Sequence, residues 1–237
     1  MGTSKGYIPP TGYLWPEAKR DVTGMVKSGF APSSIGKAVS SFSKAMGGGG
    51  KSYSGSVAKV GAKAVKFIEA VKNYGFLEAL EKVGLSHLRG QSSEGLRSGL
   101  LEYFNDGGND FYDSIAQQSM SELMRELLKS AEDEEDYNNI ISEIDTGEFI
   151  REFIIKFIQN CFFANFAEKI LTMFDQLNKY DSAEKSVKTY IRTTIESEFT
   201  VEDIQKVDWN GQQGNQIITG KCNKAFEILS VWSETLV

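Results

Sequence analysis

The most apolar stretch of the chain covers residues 149–174. Seventeen of its 26 residues are apolar, and it holds seven of the chain's 15 Phe residues. No Gly or Pro interrupts it, and Gly147 lies just before its start. The run is too long for a strand, and its apolar side chains cover almost every side of a helical wheel. It therefore predicts one long, largely buried helix, and we expect an all-α bundle packed around it.

A membrane-spanning helix is disfavoured for this stretch. Such a helix needs about 20 largely apolar residues. Charged side chains at Arg151, Glu152, Lys156, Glu168 and Lys169 leave only residues 157–167 without charge. We therefore expect a chain that does not enter a membrane.

Helical spacing of apolar residues and capping signals predict the remaining helices. Gly75 and Gly84 should end the first two, and a capping box of Asp181 with Glu184 should start the sixth. The predicted helices cover residues 54–74, 76–83, 92–104, 110–131, 137–144, 181–199 and 217–232.

The first part of the chain differs from the rest in composition. Residues 1–75 carry a net charge of +8, against −14 for residues 76–237, and they contain all four Pro and 13 of the 23 Gly. We predict an extended, flexible, Gly/Pro/Lys-rich N-terminal tail and linker over residues 1–53, with short helices at 17–27 and after Pro32. An α-helical domain should follow over residues 54–237.

Candidate chemistry in this chain has plainer structural explanations. Gly50-Lys51-Ser52 resembles the end of a phosphate-binding loop, but Ala45 stands where that motif needs Gly. A flexible linker is therefore the favoured interpretation of these three residues. The acidic run at residues 132–136 lacks the spacing of a calcium loop and favours a solvated turn.

The potential metal ligands and nucleophiles are also sparse. His87 is the only His, which excludes an ordinary His-based metal cluster or catalytic triad. Cys161 and Cys222 match neither a zinc site nor a redox pair. We expect no catalytic residues, no metal and no cofactor bound by this chain itself. We also expect it to work in a reducing cytoplasm, since no secretory signal follows the start.

One helix face is basic. Lys59, Lys63 and Lys66 lie opposite the apolar stripe of the helix at 54–74. Such a patch could contact nucleic-acid phosphates or an acidic protein surface, or it could be an ordinary solvated face.

Several stretches resemble QatB proteins, components of the Qat antiphage defence system of bacteria. The resemblance spans most of the chain in order and ends before the last forty residues. Its stretches are Met1-Gly2-Thr3-Ser4, Lys5-Gly6-Tyr7-Ile8-Pro9-Pro10-Thr11-Gly12, Trp15, Lys19-Arg20-Asp21-Val22-Thr23, Phe76-Leu77-Glu78-Ala79-Leu80, Val83-Gly84-Leu85-Ser86-His87-Leu88-Arg89-Gly90, Leu100-Leu101-Glu102-Tyr103-Phe104, and the long apolar helix.

The resemblance implies partners and a role. The family's neighbours look like an ATPase, a QueC-like enzyme and a TatD-like nuclease. A QueC-like enzyme that activates a 7-deazaguanine carboxylate with ATP could pass it to a protein N-terminus. Gly2 is then the implied acceptor, once Met1 is removed, and Thr3, Ser4, Tyr7 and Trp15 are the implied recognition residues.

The sequence leaves three functions open. The first is a non-enzymatic substrate and binding partner of the QueC-like enzyme, modified at Gly2. The second is a structural adaptor that bridges Qat proteins without covalent modification. The third is a nucleic-acid-binding module that uses the Lys-rich helix.

Overall fold

The computed structural model is built of helices, as the helical spacing of the apolar residues predicts. It describes residues 12–48, 53–105, 108, 110–173, 177–198, 209 and 212–231. Within these ranges there are ten α-helices, one 3₁₀ turn and no strand, so the all-α prediction is confirmed. The helices are α1 (Trp15–Lys27), α2 (Pro32–Gly48), α3 (Ser54–Tyr74), α4 (Phe76–Lys82), α5 (Ser93–Asn105), α6 (Phe111–Leu127), α7 (Glu134–Ser142), α8 (Thr146–Leu171), α9 (Leu177–Glu198) and α10 (Gln212–Val231).

The described residues fall into two compact units. The first unit comprises the described parts of Met1–Ser52, Ile158–Phe199 and Asn223–Val237. The second comprises those of Tyr53–Phe157 and Thr200–Cys222. The division predicted from the sequence, a tail and a single helical domain, stays a prediction.

Residues 15–48 are not extended, which corrects the prediction of an extended segment through residue 53. The short helices expected there are present as α1 and α2 and are longer than expected. The reason is burial at helical spacing: Val22 and Met25 of α1 and Val39 and Phe42 of α2 are fully buried. The chain reverses between the two helices through Gly29 and Phe30, both at positive φ.

Phe42 lies at the middle of the first unit. It is 0% exposed, and its ring centroid is 5.3–6.2 Å from four other aromatic rings. Those rings belong to Trp15 of α1, Phe162 and Phe166 of α8, and Phe226 of α10. Edge-to-face geometry at such separations is favourable beyond the area buried.

The second unit is built on α3, whose predicted bounds are confirmed. Its apolar side packs against α4, α5, α6 and α7. Phe67 of α3 is fully buried and contacts the rings of Phe76, Tyr103 and Phe104. Gly61 leaves room for Phe153 and Ile218, each of which would lie 3.0 Å from an added Cβ.

Helix boundaries were predicted less well where capping residues decide them. The long helix starts at Thr146, before Gly147, because the Asp145 carboxylate accepts a hydrogen bond from the Glu148 N–H at 2.8 Å. The Asp181–Glu184 capping box is wrong, since both residues lie inside α9. Asp110 does cap α6, in a capping box with Asp113.

Replacing Phe42 with Ala should lower the free energy of unfolding by about 3–5 kcal/mol, because the cavity would separate four packed rings. Urea unfolding followed by far-UV circular dichroism measures this. Tyr13→Ala is the control, since Tyr13 is 86% exposed and its loss should change stability by less than about 0.5 kcal/mol. Equal unfolding midpoints for the Phe42 variant and wild type would contradict the packing described.

Candidate functional site

The described chain begins at a fixed turn. The Trp15 N–H donates to the Gly12 carbonyl at 3.1 Å, and Pro16 supports the first turn of α1. The Trp15 side chain is 5% exposed and contacts the rings of Phe42 and Phe166. The point at which residues 1–11 join the first unit is therefore held by a buried indole.

The residues predicted to carry function at the N-terminus lie mostly outside the described residues. This applies to Gly2, Thr3, Ser4 and Tyr7. Of the predicted recognition residues only Trp15 is described, and its ring belongs to the core of the first unit. Its part in partner recognition stays a prediction.

The predicted basic patch lies on α3 in the second unit. Lys59 and Lys66 are exposed, and Lys63 is half-buried. The Lys63 ammonium nitrogen lies 4.2 Å from the centroid of the Tyr103 ring. Burial raises the pKa of Tyr103 above its ordinary value, and the face of its neutral ring stabilises the cation. Binding of phosphates by this patch stays a prediction.

A groove in the second unit was not anticipated from the sequence. We call it the α4 groove. It has a volume of about 520 Å³ and lies along the start of α4 and the start of α7. It is lined by Tyr74, Gly75, Phe76, Leu77, Glu78, Arg89, Glu134, Glu135 and Asn138.

The segment after α4 forms one side of this groove. Gly84, at φ 80°, ends α4, and the Leu85 N–H donates to the Leu80 carbonyl at 2.7 Å. Leu88 is buried and lies directly against Gly99, where an added Cβ would be 2.3 Å from the Leu88 Cδ2 and would force that side chain to move. The Gly90 N–H donates to the Glu134 carboxylate at 2.8 Å. The stretch that supports the family resemblance thus holds α4, α5 and α7 together.

The acidic run has a structural role at the start of α7. The Asp133 carboxylate accepts from the Asp136 N–H at 2.9 Å, and the Asp136 carboxylate accepts from the Glu132 N–H at 2.9 Å. Within the described ranges, no group of three or more His, Cys, Asp or Glu is placed to hold a metal ion.

The other candidates from the sequence have ordinary surroundings or lie outside the structure described. His87 is exposed in the 3₁₀ turn. Cys161 and Cys222 are buried, and burial raises the pKa of the Cys222 thiol. Gly50, Lys51 and Ser52 lie outside the described residues.

The features above define an all-helical protein with a fixed N-terminal junction and a carboxylate-lined groove. The family model of QatB, the Qat anti-phage system associated protein, matches residues 48–229. The chain therefore belongs to the QatB family and to the Qat antiphage defence system, and its partners are to be sought within that system. The match includes the α4 groove and leaves out residues 1–47.

Other comparisons add two negative findings. Neither a curated protein nor a solved structure matches this chain.

Across the described residues, no helix combines the length and the apolar character needed to cross a membrane.

Replacing Asp133 with Ala should destabilise the second unit by about 1 kcal/mol, because the first turn of α7 loses its side-chain acceptor. Urea unfolding and amide hydrogen exchange at Asp136 measure the effect. Asp133→Asn is the matched control, since an amide oxygen can accept the same hydrogen bond. If Asn were as costly as Ala, the capping hydrogen bond would not be the stabilising interaction.

Proposed function

We propose that this chain is a non-enzymatic component of the Qat system in the cytoplasm, and that Gly2 accepts a 7-deazaguanine-type group from a QueC-like enzyme. The enzyme would consume the ATP, and the Qat ATPase and the TatD-like nuclease would act in the same system. Membership of the QatB family is the reason to assign the chain to the Qat system. The observation that favours the N-terminus as the acceptor is its junction with the first unit at Trp15.

The chemistry requires a nucleophilic amine. Removal of Met1, which the small Gly2 permits, leaves an α-amine whose pKa is about 7.7–8.0, so a useful fraction is neutral near pH 7.5. The neutral amine attacks the acyl carbon of the activated deazaguanine carboxylate. An amide bond forms, the adenylate leaves, and the nitrogen loses a proton. Gly2 has no side chain to obstruct this attack.

The junction limits how far the amine can reach. The ten residue steps from Gly2 to Gly12 span at most about 35 Å. Within that distance, Thr3 and Ser4 offer hydroxyl and backbone groups to the partner's active site, and Tyr7 offers an aromatic ring. Trp15 contributes by holding the base of the segment, since its own ring is buried.

The helical body is the second half of the proposal. A substrate held only by a short N-terminal segment would dissociate readily, so the body would dock on the QueC-like enzyme and raise the local concentration of Gly2 at its active site.

We propose that the folded part of the chain is packed around α8, whose residues Phe153, Phe157 and Ile158 are fully buried, and that residues 1–11 serve as the tail.

Gly2→Pro should abolish modification, because its N-terminal secondary amine is bulky and constrained. The measurement is the mass of the intact chain and of its N-terminal peptide, purified with and without the QueC-like neighbour. Wild type should gain the mass of the deazaguanine carboxylate less one water, only with the partner present. Gly2→Glu should also fail, since the large side chain prevents removal of Met1.

Gly2→Ala is the matched control for this measurement. It permits removal of Met1 and keeps a primary α-amine, so the adduct should persist. A structural adaptor predicts the opposite pattern: no adduct on wild type, and unchanged complex formation and phage protection in the Gly2→Pro variant. That pattern would reject the modification proposal.

The rate of adduct formation should rise with pH until the amine is deprotonated. At one pH unit below its pKa only about a tenth of the amine is neutral, so the rate should increase roughly tenfold up to a plateau above pH 8. Pyrophosphate release in the absence of this chain gives the pH profile of the activation step alone. A rate that follows that profile and shows no further rise would contradict attack by a free α-amine.

A further inference from the structure

The α4 groove presents apolar surface that the second unit does not cover. Tyr74 is 54% exposed and Leu77 is 39% exposed, and both line the groove. Its volume of about 520 Å³ is within the range of protein pockets that bind small groups or side chains. It can therefore hold one or two large apolar side chains.

The walls of the groove are held in place by buried and hydrogen-bonded groups. The Phe76 N–H donates to the Asn138 side-chain oxygen at 2.9 Å, and the Phe76 ring stacks on Tyr137 with centroids 5.4 Å apart. Tyr137 is fully buried and donates its hydroxyl to the Ser93 carbonyl at 3.0 Å. A binding partner would thus meet a preformed surface.

The charges of the lining are unequal. Three carboxylates line the groove, from Glu78, Glu134 and Glu135, against one guanidinium, from Arg89. Arg89 is already engaged, since it pairs with Glu81 and donates to the Leu77 carbonyl at 3.3 Å. The exposed Glu135 carboxylate adds negative charge beside the apolar surface.

The edge of the groove already contains one example of the contact it offers. The Lys82 ammonium nitrogen lies 4.1 Å from the Tyr74 ring centroid and 3.4 Å from a Glu78 oxygen. An aromatic face and a carboxylate together favour a cation with an aliphatic stem. Further along the groove, Leu77 offers an apolar side chain and Glu135 a carboxylate, which suit the aliphatic stem and the charge of a partner's Lys or Arg.

We infer that the α4 groove docks a basic peptide segment of a partner protein, with an apolar side chain against Tyr74 and Leu77 and a cation beside Glu135. Charge complementarity selects this occupant, because carboxylates attract Lys and Arg and repel nucleic-acid phosphates. The inference goes beyond the modification of Gly2 and does not depend on it.

The test uses the full chain and a fluorescein-labelled, end-blocked decapeptide containing lysine, leucine and phenylalanine. Fluorescence polarisation should show binding that weakens as salt rises. Two matched peptides, one with glutamate for every lysine and one with serine for every leucine and phenylalanine, should bind at least tenfold more weakly. Binding of the glutamate peptide as tight as that of the lysine peptide would overturn the inference.

Variants of the groove locate the binding site. Leu77→Ser should weaken binding about tenfold, as expected for an apolar anchor, and Glu135→Gln should weaken it several-fold and reduce its salt dependence. Leu171→Ser is the matched apolar control, since Leu171 is also 39% exposed and lies outside the groove. Glu102→Gln is the charge control, on an exposed carboxylate of α5. Both controls should stay within about twofold of wild type.

Three further results would overturn the inference. The first is a loss of binding as large in the controls as in the groove variants, which would indicate attraction to the acidic surface as a whole. The second is unchanged binding in Leu77→Ser. The third is a protein that is dimeric alone and becomes monomeric with Leu77→Ser, which would assign the groove to a second copy of the chain.

Discussion

The packing of Phe42 joins the separate chain segments of the first unit. Its neighbours Trp15, Phe166 and Phe226 come from parts of the chain that are far apart in sequence. Joining such distant segments costs chain entropy before any contact is gained. A cluster of large apolar rings, each burying a large area, is the kind of interaction that can offset this cost. The turn that holds the N-terminal segment depends on the same cluster.

Local signals predicted most helices of the second unit, but they predicted the helices of residues 15–48 only in part. Gly75 and Gly84 stop helices by adopting positive φ, and their neighbours in sequence suffice to show it. In residues 15–48 the local signal was mixed, because Gly24 and Gly36 are weak helix formers inside segments whose apolar spacing predicted short helices. What decided the outcome was burial against distant residues: Gly36 permits a close approach to Tyr190, whose hydroxyl would be 2.7 Å from an added Cβ. The available indication was helical spacing in each segment, at Val22 and Val26 of α1 and at Ile35, Val39 and Phe42 of α2.

The candidate functional residues divide in a similar way. The N-terminal candidates were predicted from a family resemblance and from the chemistry of an α-amine, and all of them except Trp15 lie outside the described residues. The α4 groove was missed because Leu77 and Glu135 are more than fifty residues apart and only the fold brings them together. A partial signal was present in the sequence. Leu77 and Glu78 follow Gly75, which ends α3, and they lie on α4, which is too short to bury both of its sides. The acidic run, interpreted as a solvated turn, supplies Glu134 and Glu135 to the groove and Asp133 as the cap of α7.

The turn at Gly12 and Trp15 also anchors the N-terminal segment to the folded chain, so that its reach is limited. Any group attached to Gly2 stays within about 35 Å of Gly12. A ligand confined by so short a connection has an effective concentration on the order of millimolar at sites within reach. If Gly2 is modified as proposed, a second Qat protein bound to the folded chain would meet the modified terminus at that concentration, however dilute the complex is in the cell. Weak recognition of the modified residue would then be enough for a response, and the same recognition would be ineffective toward the detached group in solution.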